Sequence, residues 1–501
     1  MSNKKVPLHV HVEALLNEAS QQMPVGLNLE WEHYCKLEGL IAKIKEREAY
    51  RDGNLNNSSS IDDVKQLMIA DNERRKERFP TFFEWLHLND INPDKVEISY
   101  NDAQGFGLKT KVPLDTNDVV FDIPRKAIIT SAVARESKLK ILIDKDPLLS
   151  VMQNVLLAVY LVYERFSNPN SHWKAYIDIL PRMFDTVVYF TKEEMTVLKH
   201  SPCAFREALR MLRNVARQYA YFHIKFRKST DSASRALKPV FTYNRYIWGV
   251  SAVTTRINHL PSPTGEPILS LIPLWDLCNH EESEQICTDY NEDKQTLICY
   301  AGHEYKTNSD FNIFYGKRSS VDFLVHNGFV PPNYRHDSYS LELGVGVNDP
   351  NYSRKKTILA KLGLECQNTF AVKPDQLATA TKLFAFIRVF QADEGALTEI
   401  EEGIDNLSSL GQPTKACWKY LAMRFTLLRK ATENSLASTL KTLYGDNSTD
   451  LPRVTMILLQ LLKNEQKVLE MLAHCAESLV VCTPMSAMTI QENSKEAMDS
   501  K

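Results

Sequence analysis

Two stretches of this chain alternate apolar and polar side chains with a period of two, and a long helical stretch separates them. The first lies between Lys95 and Arg125: Val96-Glu97-Ile98, then Val119, Val120, Phe121 and Ile123. The second comprises Leu269–Leu274, Leu297–Tyr300 and Asp310–Tyr315, the last with Phe311, Ile313 and Tyr315 set against Asn312 and Phe314. From about Ala132 to Val253 the period becomes helical, most clearly at Phe205, Leu209, Leu212, Ala216, Tyr219 and Phe222. Within it an apolar helix over Leu148–Tyr163 is expected to contain Asn154, and Arg217-Gln218 lies beside a buried stripe. The pattern predicts an α+β fold whose strand-rich part is split by a helical insert at about 132–253.

The flanks extend this organisation. Residues 1–94 read as a helical N-terminal segment with a polar loop at 54–60. The basic run Glu73–Arg78 ends at Pro80 and reads as a solvated face, with Phe82, Phe83, Trp85 and Leu86 opening an amphipathic helix after it. After Pro331-Pro332 a last alternating piece, Ser338–Val347, gives way to helix up to about Val480, with Asp450 a cap before Pro452. The tail 483–501 is polar and expected to be disordered. The domains are therefore 1–94, 95–316, 333–482 and the tail.

Composition excludes several functions. Sixty basic against sixty-two acidic residues offer no nucleic-acid footprint. The longest apolar stretch, Val155–Tyr163, is far short of the ~18 residues a span requires, and no h-region follows Met1–Lys5. Nine cysteines without a C-x-x-C pair point to reduced thiols and no metal. The glycines of Gly105-Phe106-Gly107 lack the spacing and following helix of a dinucleotide fingerprint.

The densest chemistry lies between Ile272 and Tyr315. The apolar run Ile272-Pro273-Leu274-Trp275 reads as a buried strand and stops at Asp276, Asn279 and His280. Buried polar groups of this kind are either satisfied structurally or used. Gly105-Phe106-Gly107, Asn279-His280 and Phe314-Tyr315-Gly316, in this order, resemble the motifs of SET-domain protein methyltransferases. The split strands, the insert and a helical C-terminal domain are similar to the class of the Rubisco large-subunit lysine methyltransferase. Within it, Ala216–Phe222, Thr255-Arg256-Ile257-Asn258 and Leu271–Asp276 are most similar to the actin-histidine N-methyltransferases.

That resemblance implies a SET β-fold split by the insert, then an all-α substrate-binding domain. It implies S-adenosyl-L-methionine as cofactor, no metal, and actin as protein substrate. The cofactor would be held by Arg75, Gln104, Gly105, Phe106, Arg256, Asp276, Asn279, His280, Asn327, Gly328 and Phe329. Gln104 departs from the glutamate of the family, and Asn327 from a serine. Tyr315 would sit beside the transferring methyl and Asn258 would orient the target imidazole, where lysine-specific relatives carry an aromatic. Trp275 and Ile313 would wall the acceptor pocket, with Asn154, Arg217, Gln218 and Arg318 along the groove for the polypeptide. A cytoplasmic monomer is expected, with the nucleus as a second compartment. The rival readings are a protein-lysine methyltransferase of the same fold and a non-catalytic SET scaffold.

Overall fold

A computed structural model describes residues 6–51, 61–262, 265–332, 335–403, 410–445 and 451–482. The loop expected at 54–60, the cap at Asp450 and the tail from Thr483 lie outside them. The chain forms two compact units, one of Met1–Lys192, Ala204–Lys317 and Val321–Phe329, the other of Glu193–Cys203, Arg318–Ser320 and Val330–Lys501.

The first unit opens with α1 (Leu8–Ser20), α2 (Leu27–Arg51) and α3 (Ile61–Leu88). Here the structure corrects the sequence: α3 does not start at Phe82 but runs unbroken through the basic run, with Pro80 inside it. An interior proline removes one helical hydrogen bond. Burial of Phe82, Trp85 and Leu86 offsets that loss, as does the Trp85 indole N–H donating to His172 O at 2.8 Å. Nor is the run a solvated face throughout. Arg74 donates to Leu180 O (2.9 Å) and Arg75 Nε to Ile179 O (2.7 Å), which turns both guanidinium groups inward.

Strands β1 (Val96–Asn101), β2 (Gly105–Thr110), β3 (Val119–Pro124) and β4 (Ile129–Thr130) precede the insert. Its helices are α4 (Ser131–Arg135), α5 (Lys140–Ile143), α6 (Pro147–Val151), α7 (Gln153–Phe166), α8 (Lys174–Ile179), α9 (Lys192–Leu198), α10 (Pro202–Lys228), α11 (Ser232–Leu237) and α12 (Tyr243–Thr254). Every member of the α10 stripe named above is buried. The apolar helix expected over Leu148–Tyr163 is two: Met152 (φ −93, ψ 93) breaks it between α6 and α7. Asp146 caps α6, accepting from the N–H groups of Leu148 and Leu149 at 2.9 Å. Asn154 thus lies in the first turn of α7, exposed.

After the insert come β5 (Asn258–Leu260), β6 (Ile268–Leu271), β7 (Asn279–His280), β8 (Thr288–Asn291), β9 (Thr296–Tyr300) and β10 (Asp310–Ile313). Three sheets form, ordered β1-β2-β10-β7, β3-β9-β8 and β4-β6-β5. Each pairs a strand from before the insert with one from after it: Leu108 faces Phe311, Ile123 faces Leu297, and Ile129 faces Leu271. The strand expected over Leu269–Leu274 stops at Leu271. Ile272 and Leu274 are buried as expected, but Leu274 takes φ 69 and a 3-10 turn follows at Trp275–Leu277.

The second unit is helical, with Tyr352–Lys361, Thr381–Gln391, Glu394–Gly403, Lys415–Tyr444 and Arg453–Cys482 around a core that includes Leu341, Phe384, Phe386, Trp418, Phe425 and Leu469. It also holds an antiparallel ribbon, β11 (Tyr339–Gly344) with β12 (Gln367–Val372), where continuous helix was expected after Val347. In β12 Asn368, Phe370 and Val372 are the less exposed residues, a period of two that six residues barely register.

Burial pushes the Glu465 carboxyl, on Arg453–Cys482, up to about 7. The Ser201 hydroxyl donates to it at 2.6 Å and opposes this, while Asp337 reinforces it. The native state therefore holds a proton here that the unfolded chain has released once the pH exceeds about 4.5. Its contribution to stability falls as pH rises from about 4.5 to 7 and stays low above that. Urea unfolding at pH 5 and pH 8 is expected to show a smaller drop for Glu465→Gln than for the wild type, by roughly 3 kcal/mol. Equal drops in both proteins would mean the carboxyl titrates normally.

Candidate active site

Parallel pairing of β10 with β7 sets Asn312 against Asn279 and Ile313 against His280. Two residues on, Tyr315 returns across the pair. Its N–H donates to His280 Nδ1 at 3.3 Å and its hydroxyl donates to Cys278 O at 2.7 Å. The first contact leaves Nδ1 as an acceptor and so places the imidazole proton on Nε2. His280 and Tyr315 lie 5.3 Å apart by ring centroid, Phe329 stands 6.2 and 6.3 Å from them, and Phe323 lies 4.8 Å from His280 and 5.1 Å from Phe329.

Gly328 holds Phe329 there. It caps the π-helical turn Phe323–Asn327 with φ 78, and its N–H donates to Phe323 O at 2.9 Å. A β-carbon on it would meet the Asp185 carbonyl at 2.9 Å. Asn327 precedes it, half-buried.

At the other end of β7, Asn279 reaches the glycine turn. A β-carbon at Gly107 would lie 2.5 Å from its Nδ2, which makes a long 3.5 Å contact to Gln104 Oε1. Gly105, at φ 81, gives the β1–β2 turn a backbone that residues with a side chain rarely adopt. Phe106 lies beneath Arg75, whose guanidinium carbon is 4.5 Å from the ring centroid.

Arg75 is only 7% exposed. Burial, reinforced by Arg256, pulls its pKa down to about 9. Its Nε is bonded to Ile179 O, and its two terminal nitrogens have no hydrogen-bond partner among the described residues. Nearby, Arg256 Nε lies 3.6 Å from Asp276 Oδ2, which also accepts from the Tyr176 hydroxyl. The Asp276 side chain is 2% exposed, and burial pushes it up to about 6 against the pull of Arg256, Tyr176 and Arg75. Asp276 Oδ1 and Arg256 Nε are buried without a hydrogen-bond partner among the described residues. Such orphaned charge is costly and fits a zwitterionic ligand end, with a carboxylate for the arginines and an ammonium for the aspartate.

Two residues after Arg256, Asn258 opens β5 and pairs with Ser270 of β6. Asn258 Oδ1 accepts from His259 N–H at 2.8 Å, which fixes the amide with oxygen on that side. The backbone of Asn258 is held by the Ser270 hydroxyl at 3.0 Å. Trp275 Nε1 donates to Thr288 Oγ1 at 2.9 Å, and Ile313 is buried on β10.

The groove candidates are less assembled. Gln153, next to Asn154, accepts from Leu269 N–H at 2.9 Å and so ties the start of α7 to β6. Arg217 is exposed on α10, 3.4 Å from Asn214, and Gln218 accepts from the Tyr246 hydroxyl at 2.9 Å. Arg318 belongs to the second unit. Sequence reasoning missed Tyr176, Ile179, Cys278 and Phe323. The first two lie a hundred residues or more from the groups they serve, with no periodic signal to link them.

Residues 346–480 match the Rubisco LSMT substrate-binding family. The fold is similar to the SET domain of LSMT bound to lysine and AdoHcy (TM-score 0.62, 16% identity, covering 84% of this chain and 99% of that one). It is also similar to Rubisco LSMT bound to AdoMet (TM-score 0.58, 18% identity, 85% and 97%). The actin-histidine N-methyltransferase of Gallus gallus is 33% identical over 466 residues, covering 91% of this chain and 75% of that protein. That of Xenopus tropicalis is 32% identical over 453 residues, covering 88% and 74%. With a SET methyltransferase fold and this identity along nearly its whole length, the chain belongs to the actin-histidine N-methyltransferase family.

Proposed function

We propose that this chain is an S-adenosyl-L-methionine-dependent protein-histidine N-tele-methyltransferase acting on a histidine of actin. The observation that carries the choice of histidine is Asn258, an amide in a fixed orientation where lysine-specific relatives carry an aromatic. The cofactor supplies an electrophilic methyl group on a sulfonium. Arg75 would take its carboxylate and Asp276 its ammonium, with Arg256 balancing the charge of Asp276. The Gln104–Phe106 turn, Asn279, His280 and Asn327–Phe329 would complete the pocket. The neutral Gln104 keeps an acceptor oxygen for that turn while losing the charge of the family's glutamate.

The acceptor must bring a lone pair. An imidazole with a pKa near ~6.5 is mostly neutral at pH 7, whereas a lysine ammonium near ~10.4 must first be deprotonated. The task is then to choose the tautomer. Asn258 Oδ1 has one lone pair beyond the His259 contact, enough to hold the N–H of one ring nitrogen. The other nitrogen attacks: a nitrogen–carbon bond forms as the sulfur–carbon bond breaks, and the held nitrogen then releases its proton. Trp275, Ile313 and Tyr315 wall the ring and exclude water, while Asn154, Arg217, Gln218 and Arg318 contact the flanking polypeptide.

Labelled cofactor with the purified chain should modify one actin histidine. An unmodified histidine, where a control enzyme succeeds, would refute the reading. Absence of cofactor binding by calorimetry would favour the non-catalytic scaffold instead. Asn258→Phe is expected to lower histidine methylation by about 10–100-fold, the loss of one buried hydrogen bond to a reacting group. It should also raise the lysine-to-histidine preference on matched peptides. An unchanged preference would remove Asn258 from the selection of the acceptor. The same reading expects a cytoplasmic monomer, with the nucleus as a second compartment, that needs neither nucleic acid nor membrane; fractionation and light scattering test it. No helix among the described residues is long and apolar enough to cross a membrane.

A further inference from the structure

Helix α8, six residues long, serves both charged ends of the candidate site, and every group involved lies in the first unit. The last carbonyls of a helix have no partner within it. Here those of Asp178 and Leu180 accept from Arg74, the second at 2.9 Å, and that of Ile179 accepts from Arg75 Nε at 2.7 Å. Just before them on the helix, Tyr176 is buried with its ring 6.4 Å from that of Phe82 and donates its hydroxyl to Asp276 Oδ2. One short helix thus holds a cation and an anion of the same site. Asp276 is faced by Arg75 from α3, Tyr176 from α8, Arg256 just after α12, and the Cys278 thiol two residues along its own turn. Its Oδ1 is buried with no hydrogen-bond partner among the described residues.

We propose that Tyr176 is a positioning residue for the cofactor: its hydroxyl pins Asp276 Oδ2 and leaves Oδ1 as the charged acceptor for the ammonium, an inference that rests on the cofactor site proposed above. A hydrogen bond to the charged form of a carboxyl favours that form. Burial pushes Asp276 up to about 6, and Tyr176 is one of three groups that oppose it, with Arg256 and Arg75. Burial and the neighbouring Asp276 push the Tyr176 phenol well above its ordinary value, so the hydroxyl keeps the proton it donates. Without that hydroxyl, Asp276 would take up a proton closer to neutral pH, and a neutral carboxyl offers an ammonium no charge. Tyr176 therefore sets how far the pH can fall before the pocket stops accepting a zwitterion.

The test is calorimetric titration of the full chain with S-adenosyl-L-methionine between about pH 5.5 and about pH 8, comparing wild type, Tyr176→Phe, Asp276→Asn and the double variant. In the wild type Kd should rise as pH falls through about 6. Tyr176→Phe should move that break up by about one pH unit, the effect of one hydrogen bond lost from a carboxylate. Its Kd should therefore exceed that of the wild type about 8-fold at about pH 5.5 and less than about 2-fold at about pH 8. Titration of the cofactor's own amino group is common to both proteins and leaves this ratio unchanged. Asp276→Asn should show no break near 6, and adding Tyr176→Phe to it should change Kd less than about 2-fold, since Tyr176 works through the Asp276 carboxylate. The cofactor-free proteins give a second reading. A carboxyl raised above its unfolded value of 3.8 loses stability as pH rises to its folded pKa, so the wild type stops losing near 6. Tyr176→Phe should go on losing to about 7, and urea unfolding should show the two proteins diverging over that last unit. A tyrosine that serves stability alone would lower the melting temperature and leave the Kd ratio the same at both ends of the pH range. That flat ratio overturns the proposal, as does a break near 6 that survives Asp276→Asn. A wild type that binds no cofactor sinks the cofactor site and this role with it, whereas wild-type binding with a flat ratio sinks this role alone.

Discussion

Arg75→Met is expected to weaken binding of S-adenosyl-L-methionine about 100-fold while the cofactor-free protein melts within a few degrees of wild type or above it. The first half follows from geometry. The terminal nitrogens of a buried guanidinium are uncommitted among the described residues, and a bidentate carboxylate contact there contributes about 3 kcal/mol. The second half follows from electrostatics. A folded pKa of about 9 against an ordinary 12.5 means the charged group costs the empty fold on the order of several kcal/mol at neutral pH. Stability is regained as pH rises from about 9 toward 12.5, so at pH 7 the whole cost applies. Methionine removes it while keeping apolar contact with Phe106; the loss is the Nε bond to Ile179 O. Calorimetric titration and thermal melting of the two proteins decide the matter. Full-strength cofactor binding by the variant would place the carboxylate elsewhere.

Gly328→Val should lower the stability of the first unit by about 4 kcal/mol and abolish methylation at assay temperatures. A left-handed backbone costs a residue with a side chain about 1–2 kcal/mol. The collision at 2.9 Å is with the backbone of Asp185, which cannot swing aside, and overpacking of that kind costs about 1–3 kcal/mol more. The strain would be relieved by moving Gly328-Phe329, the segment that packs on His280 and Tyr315. Gly328→Ala should show a milder form of both effects. A valine variant with wild-type unfolding in urea would mean that Asp185 yields readily.

Much of the scaffold was legible in the sequence because its signals are long or chemically pointed. Strands β1 and β3 announce themselves by alternation, and α10 by a stripe from Phe205 to Phe222, about five turns long. Misreadings came where a local rule was overridden by packing. Pro80 marks a helix boundary in isolation, yet the buried aromatics after it keep α3 intact. Ile272–Leu274 is apolar enough for a strand, but the chain must turn there to bring Asp276 to Arg256. The short strands β5 and β8, three and four residues, carry too few residues for a period. For the site, the motifs that carry the family resemblance include His280 and Tyr315, which the fold brings into contact. The roles given to Asn258 and Arg75 came through family resemblance. Tyr176 as the partner of Asp276 could only be seen folded.

The pairing of early strands with late ones has a consequence for biogenesis. β2 meets β10 about 200 residues downstream, at Lys109 and Asp310. At about 5–20 residues per second, a ribosome needs roughly 10–40 seconds to deliver the second partner after the first. The helices of the insert can dock on one another in that interval, α7 against α12, while β1 to β3 wait with unpaired edges. The candidate site around β7 and β10 is thus among the last parts of the first unit to form, and the nascent hairpin ahead of it is where a chaperone would be needed.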